Sequence, residues 1–460
     1  MTSWQNYLKE HQAQYLNELI DFLRIPSISS LSEHQQDVQK AADWVAKRLN
    51  AAGLKNVRIF KAGDSPLVYG DWLKATGKPT ILIYGHMDVQ PVDPLDLWTH
   101  PPFEPTVQNG RIYARGASDD KGNMLIPIFA IESILNTMGA LPVNVKCLFE
   151  GEEEISSPHL AEFINANRDL LACDLVLSAD GGQWEEDQPA LHIGLRGLYA
   201  FQINMTGAAH DVHSGTYGGT FMNPATALAR LISSMHDPEG RISIKGFYDQ
   251  VHLLSDKERQ QIAEIPYNES AYKEDLGIDD LFGEPGYSTY ERAWTRPTLE
   301  VNGIYGGFQD EGVKTVIPST AHAKISCRLV PDQDPDVIQR LIWDHIRLHT
   351  PKGVKVSLHP ESSGAYPYHI PPDHPGNKAA HSVLKTVYGK EPYYTRVGGS
   401  IPFCSLMKKI LGAYTVIYAF GLKDENVHAP DEFFRLSSFK RGQSAYGLML
   451  EELSQYDTFS

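Results

Sequence analysis

The feature that most constrains the fold is a set of short apolar runs, each ending in a carboxylate or a histidine. The plainest is Val143-Asn-Val-Lys-Cys-Leu-Phe149, bounded by Pro142 and running straight into Glu150-Gly-Glu-Glu-Glu154. A run of that length reads as a buried strand. Glutamates crowded at its carboxyl end repel one another and gain nothing from packing. Open α/β sheets place ligands outside the carboxyl ends of their strands. A divalent cation there would remove the repulsion, and a neighbouring glutamate could carry protons for an activated water. The competing reading is a solvated acidic loop, which is what most short charge runs are. The other strand ends decide between the two.

Thr80-Ile-Leu-Ile-Tyr84 is a continuous apolar strand of the kind found where helices cover both faces of a sheet, and it leads into Gly85-His-Met-Asp88. In an extended segment His86 and Asp88 share a face, so Asp88 can accept the imidazole's second N–H and fix its tautomer. Asp119 and Asp120 stand at the entrance of an apolar helical stretch, Met124 to Leu135. Helix capping would account for one aspartate and is worth about 1 kcal/mol. Two in succession inside a glycine-flanked turn exceed what a cap requires, so Asp119 is a ligand candidate beside the capping reading. Asp174-Leu-Val-Leu-Ser-Ala-Asp180 is another short strand ending in a carboxylate. Tyr414-Thr-Val-Ile-Tyr-Ala-Phe420 leads, through Gly421, to Glu425-Asn-Val-His-Ala-Pro-Asp-Glu432. Five separated places thus offer a ligand: His86, Asp119, Glu154 or a neighbour, Asp180 and His428. Two imidazoles and three carboxylates suit a metal such as zinc, with a carboxylate shared between two ions roughly 3.5–4 Å apart. Structural zinc sites favour cysteine, which is missing from this set, so the pattern points to catalysis.

Composition bounds the function classes. At 460 residues two domains are expected. A net charge of −16 argues against nucleic acid and against an anionic membrane surface. Cys147, Cys173, Cys327 and Cys404 are scattered without a CxxC pair, as buried thiols of a reducing compartment are. No apolar run approaches the roughly 18 residues needed to span a bilayer. The N-terminus lacks the basic start and apolar core of a signal peptide, so a cytoplasmic protein is expected.

Elsewhere, periodicity predicts helices over 3–23 and from about Glu33 to Ala52, with short strands at 57–60 and 67–70. Further on it predicts a strand from Gly194 to Met205 and a helix from Asn223 to Met235. A charged, proline-punctuated section follows over 237–300. A strand from Val313 to Val330 is broken at Pro318, and a helix runs from Asp336 to His349.

Taken in order, GHMDVQP, RGASDDKG, EGEEE, SAD, DVHSG, TVIP, RLVP, GGSIP and VHAPDE resemble the dinuclear zinc exopeptidase family. That family includes aminoacylases, succinyl-diaminopimelate desuccinylases, glutamate carboxypeptidases and carnosine dipeptidases. The likeness is strongest to the carnosine and cytosolic non-specific dipeptidase branch, and it covers nearly the whole chain. It implies an α/β catalytic domain whose mixed, mostly parallel sheet is covered by helices, interrupted by a smaller α+β sandwich serving as lid and dimerisation domain. The corresponding boundaries are 1–193 and 366–460 for the catalytic domain and 194–365 for the insert.

The resemblance implies two zinc ions per chain, with manganese or cobalt as alternatives. His86, Asp119 and Asp180 would hold one, and Asp119, Glu154 and His428 the other, with Asp119 bridging. Asp88 would orient His86, and Glu153 would be the general base. A cis peptide would follow Asp119. His213 would polarise the scissile carbonyl in a partner subunit of a homodimer, while Arg328, Thr315 and Ser400 would contact substrate, Arg328 gripping its carboxylate. Val397 stands where the family commonly has an acidic residue. The implied activity is hydrolysis of dipeptides or short peptides with a free C-terminal carboxylate. Removal of an N-acyl group (acetyl, succinyl or carbamoyl) from an amino acid is the alternative, using the same metal centre. A non-catalytic peptide-binding protein of the same fold would be favoured by loss of the base or ligands, and none is lost.

Overall fold

The strand Thr80–His86 lies inside a six-stranded sheet of the computed structural model, which describes residues 2–360, 364–399, 401–457 and 459. The strand order is Lys55–Ala62, Ser65–Trp72, Asn144–Glu150, Thr80–His86, Leu175–Ser178, Thr415–Ile417. The first two strands run antiparallel to their neighbours, and the last four are mutually parallel. The sheet is therefore mixed and mostly parallel. From Ile81 to His86 every residue is buried, so both faces of the strand are covered. Leu82 and Tyr84 join Leu148, Val176, Leu160, Phe163, Phe403 and Met407 in one apolar cluster, with the Tyr84 ring stacked on Phe403 at 3.8 Å. The helix Lys121–Met138 packs against the same strand and is covered in turn by Ser3–Glu10, Gln12–Leu23 and Leu436–Leu453. Its residues from Lys121 to Ile134 are all buried, the mark of a helix apolar on every side.

These elements belong to one of two compact units, Met1–Ile193 with Ile370–Thr395 and Ile401–Ser460. The single helix predicted over 3–23 is two, Ser3–Glu10 and Gln12–Leu23. The break falls at His11, whose Nδ1 lies 2.8 Å from the Tyr7 carbonyl oxygen and whose ring stacks on Tyr7. The His11 N–H donates to the same carbonyl at 3.1 Å, and Gln12 Nε2 donates to the Leu8 carbonyl at 2.9 Å; side chains that reach carbonyls of the preceding turn commonly accompany a helix end. The next helix is Gln35–Ala51, entered through a short 3₁₀ turn, Ser32–His34.

The second unit comprises Gly194–His369 and Arg396–Ser400. Its antiparallel sheet has the order Thr298–Tyr305, Thr320–Leu329, Gly197–Thr206, Lys355–Pro360. Gly197–Thr206 alternates buried and half-buried positions, so one face is packed. Tyr199, Phe201, Ile203 and Met205 meet Leu228 and Leu231 of the helix Pro224–Ser233 and Ile338, Ile342 and Ile346 of Pro335–His349. The Asn223 and Asp334 side chains cap those two helices. The strand predicted across 313–330 is interrupted at Pro318 as expected, into Val316–Ile317 and Thr320–Leu329. The unit is α+β. Among the described residues no helix is long and apolar enough to cross a membrane.

Candidate metal centre

Parallel strands deliver their ends to one edge of the sheet, and the candidate ligands gather there. His86 is the last residue of Thr80–His86, and its register partner is Glu150, the last residue of Asn144–Glu150. Asp180 lies two residues beyond Leu175–Ser178, and Asp119 precedes the helix Lys121–Met138. The His86 Nε2 lies 3.0 Å from Asp119 Oδ1, and the His428 Nε2 lies 2.9 Å from Asp119 Oδ2. Asp119 thus presents one oxygen to each imidazole. Glu154 Oε2 lies 3.2 Å from the same His428 nitrogen. Two groups result, His86–Asp119–Asp180 and Asp119–Glu154–His428, and the donor atoms within each lie within 4.8 Å of one another.

The glutamates that follow the strand end are sorted by their partners. Glu150 accepts from the Tyr84 hydroxyl and from Ser157 Oγ, holding two strand ends together. Glu152 accepts the His159 N–H at 2.9 Å and faces its ring. Glu154 turns to His428 and accepts from Gln90 Nε2 at 2.8 Å. Glu153 opens a single 3₁₀ turn, Glu153–Ile155, with His86, Asp180, Glu154 and Asp119 as its charged neighbours. Only Glu153 and Glu154 remain turned to the centre.

Asp88 does more than the sequence suggested. The His86 Nδ1 is 3.1 Å from the Asp88 backbone carbonyl and 3.5 Å from its carboxylate. The carboxylate itself accepts the backbone N–H groups of Glu153 and Glu154, at 3.2 and 3.1 Å. It therefore fixes the turn that carries both glutamates. Asp120 occupies the N-cap position of Lys121–Met138 but does not cap the helix with its side chain. Its Oδ2 accepts the His86 N–H instead, at 3.0 Å, and the Asp119–Asp120 peptide is cis. Gln90 and Glu432 were missed from the sequence. Gln90 sits inside the quoted GHMDVQP and Glu432 closes VHAPDE, so position within the motifs was the available signal.

His213, Thr315 and Arg328 belong to the second unit. His213 is exposed and ends a two-residue strand paired with Val316–Ile317. Its Nδ1 accepts the N–H groups of Gly215 and Thr216, at 3.0 and 3.3 Å. That assigns the proton of the neutral ring to Nε2, leaving an N–H to donate. Thr315 is exposed, and its carbonyl accepts the Ser214 N–H. Arg328 is half-buried on Thr320–Leu329. Arg196 is pushed down to about 10 by burial and then by the Arg328 charge, so two cations lie close. Ser400 lies outside the described residues.

Whether cations fit the cluster can be read from its charges and its orphaned atoms. Burial raises Glu153 well above the usual carboxylate range and lifts Asp180 to about 7, in both cases against the pull of His86. Burial would lower His86, but the Asp119 and Asp88 carboxylates overcome it and raise the ring well above its ordinary value. Hydrogen bonds to Asp119 and Glu154 raise His428 to about 10. Glu154 Oε1 is buried without a hydrogen-bond partner. Protons thus supply the positive charge that the carboxylates demand, and the donors suit divalent cations. A cation needs the unprotonated imidazole, so its uptake must displace protons from His86 and His428. Affinity should therefore rise with pH from about 7, where Asp180 ionises, toward about 10, where His428 loses its proton, with protons released on binding. Calorimetric zinc titrations in buffers of different ionisation enthalpy measure this directly. Uptake that releases no protons and does not tighten with pH would contradict the assignment.

Comparison with known proteins gives the same direction. The model of the peptidase family M20/M25/M40 matches residues 82–452. The chain is 32% identical to the Cys-Gly metallodipeptidase dug1 of Schizosaccharomyces pombe, over 96% of each chain. It is 28% identical to the Beta-Ala-His dipeptidase of Mus musculus, over 98% of this chain and 95% of that one. Among solved structures it is similar to an M20 family metallo-carboxypeptidase from Sulfolobus solfataricus, with a TM-score of 0.85 and 33% identity over 96% of this chain and 99% of that one. An edge of sheet crowded with imidazoles and carboxylates, in a chain matched over most of its length, has one reading: this protein is an enzyme of the peptidase family M20/M25/M40.

Proposed function

We propose that the enzyme is a metal-dependent dipeptidase, hydrolysing dipeptides or short peptides that carry a free C-terminal carboxylate. The observation that carries this reading is Asp119, with one oxygen on each histidine and membership of both candidate ligand groups. His86, Asp119 and Asp180 would hold one divalent cation and Asp119, Glu154 and His428 a second. Imidazole with carboxylate suits zinc, with manganese or cobalt able to replace it. When bound, the cations would supply Lewis acidity toward a water and toward the scissile carbonyl. The dipeptidase names of the fission-yeast and mouse relatives support a dipeptide substrate.

The chain's own groups divide the rest of the work. Glu153 takes a proton from the attacking water and hands it to the departing amine, a role that needs a carboxylate beside the ligands but not spent on them. Asp88 holds Glu153 and Glu154 in place through their N–H groups. His213, with Nε2–H free to donate, stabilises the oxyanion that develops on the carbonyl. Arg328 pairs with the substrate's carboxylate, supported by the Arg196 charge beside it, since two close guanidiniums favour an anion between them. Thr315 and Ser400 complete the substrate contacts. In this reading the Gly194–His369 unit is a lid and dimerisation domain, and His213 serves the active site of the second copy in a homodimer. Four free cysteines, three of them buried, support a reducing, cytoplasmic setting.

One observation favours a second reading. The Sulfolobus relative is named a metallo-carboxypeptidase, so longer peptides trimmed from the C-terminus are the alternative substrate. A panel of dipeptides, tripeptides, longer peptides and N-acyl amino acids on zinc-loaded enzyme separates the possibilities. Cleavage confined to short peptides with a free amine supports the dipeptidase, and N-acyl amino acids as the sole substrates would overturn it.

Two variants and one substrate change test the roles. Glu153→Ala should keep both cations yet lose turnover by at least the roughly 10²-fold typical of a lost general base, whereas Glu154→Ala should lose a cation. Elemental analysis with kinetics measures both, and the reverse pattern would exchange the two roles. Amidating the substrate's C-terminus should lower kcat/KM by several kcal/mol of transition-state binding, because Arg328 then faces a neutral group. Equal kcat/KM for acid and amide would remove Arg328 from substrate binding.

A further inference from the structure

His428 and Asp119 come from segments more than three hundred residues apart (|i−j| = 309), yet their side chains meet at 2.9 Å. Two buried carboxylates account for the meeting. Glu432 is fully buried, and its Oε1 accepts the N–H groups of Ser118 and of Asp119 itself, at 3.0 and 3.1 Å. Its Oε2 accepts the Gly116 N–H at 2.9 Å and Arg115 Nη1 at 2.8 Å. The Glu432 carbonyl also accepts the Ala114 N–H. One residue thus binds Ala114, Gly116, Ser118 and Asp119 through their N–H groups and Arg115 through its side chain. Glu425, also fully buried, accepts from Ser118 Oγ at 2.7 Å and from the Leu422 and Arg435 N–H groups.

The segment between these two glutamates is the loop that presents His428. Asn426, His428 and Asp431 all lie in the left-handed region, with φ of 53°, 61° and 57°. Side chains there cost of order 1 kcal/mol or more each and persist only where the surroundings enforce them. Asp431 is held from outside by the Thr99 and His100 N–H groups. The strand Phe433–Arg435 then pairs with Arg111–Tyr113, which leads into Ala114. The Asp119 turn and the His428 loop are therefore tied through the Glu432 carboxylate, which takes the backbone of the turn, while Glu425 takes only the Ser118 hydroxyl from it.

We propose that Glu432 is a positioning residue that sets the Asp119–Glu154–His428 cation site by tying the Asp119 turn to the His428 loop. The inference rests on the two-cation reading above. It carries an asymmetry. Of the Asp119–Glu154–His428 group, two of three ligands ride on segments that Glu432 joins, whereas His86 and Asp180 are carried by strand ends it does not touch. Loosening the clasp should weaken one site more than the other.

Glu432→Gln keeps the size but replaces a charged acceptor facing four donors. Outer partners of ligands typically contribute 10–100-fold to metal affinity. The test is a cobalt(II) titration of metal-stripped full-length protein, followed by visible absorption. One of two cobalt ions should bind at least about 10-fold more weakly, the other nearly as in wild type. The spectrum with one equivalent bound should match that of His428→Ala, which lacks the same site. Equal weakening of both ions, or affinities unchanged despite a lowered Tm, would overturn the positioning role and leave Glu432 a stability residue. Should Glu432→Gln fail to fold, Arg115→Gln decides. It keeps Glu432 and its three backbone donors, and a several-fold loss confined to the same ion is expected. No loss there overturns the proposal. Wild-type protein that takes up fewer than two cobalt ions would instead defeat the two-cation reading itself.

Discussion

Asp119 stands between two imidazoles in a patch that also holds Asp180, Glu153 and Glu154, and that concentration of negative charge governs the larger unit. Bringing carboxylates together away from water is opposed by both desolvation and mutual repulsion. The fold meets the opposition with backbone N–H groups that hold the surrounding carboxylates rather than the candidate ligands. Asp88 takes the amides of Glu153 and Glu154, Asp120 that of His86, and Glu432 those of Gly116, Ser118 and Asp119. His86, Asp119 and Glu154, three of the five candidate ligands, are thereby fixed through their main chains while their side chains face the cluster. A second layer of acids aims the first.

The sheet explains why the arrangement is possible. Three mutually parallel strands, Thr80–His86, Asn144–Glu150 and Leu175–Ser178, end at the same edge, so ligands separated widely in sequence arrive together without long detours of chain. His428 comes from an irregular loop far from any of these strand ends in sequence, and it is the candidate ligand whose backbone is left-handed. The second unit, taken by itself, carries a different chemistry. Its exposed His213 keeps a donor N–H, and its Arg196 and Arg328 bring two cations together, features suited to an oxyanion and a carboxylate.

Much of this was legible in the sequence, for a physical reason. A strand buried on both faces must be apolar throughout, so a His or Asp at its end stands out, and His86, Asp180 and the glutamate cluster were found that way. His428 stood out beyond the apolar strand at 414–420, and Asp119 in a glycine-flanked turn with one aspartate more than a helix cap requires. What stayed hidden depends on long-range partners. Asp120 looked like a helix cap but is turned to the His86 amide. Asp88 was read as a partner for the imidazole, while its carboxylate holds the glutamate turn. Glu432 stood in plain view at the end of VHAPDE, but nothing local says that it reaches back to Gly116 and Asp119. The 3–23 helix divides at His11, where the His11 and Gln12 side chains both reach carbonyls of the previous turn, contacts periodicity does not register.

The central claim is that two cations share Asp119. The most direct measurement is anomalous diffraction at the zinc edge from crystals of zinc-loaded enzyme. Two peaks roughly 3.5–4 Å apart are expected. One should lie beside His86 and Asp180 and the other beside Glu154 and His428, with Asp119 between them. A single peak, or two that leave Asp119 outside the bridge, would contradict the account.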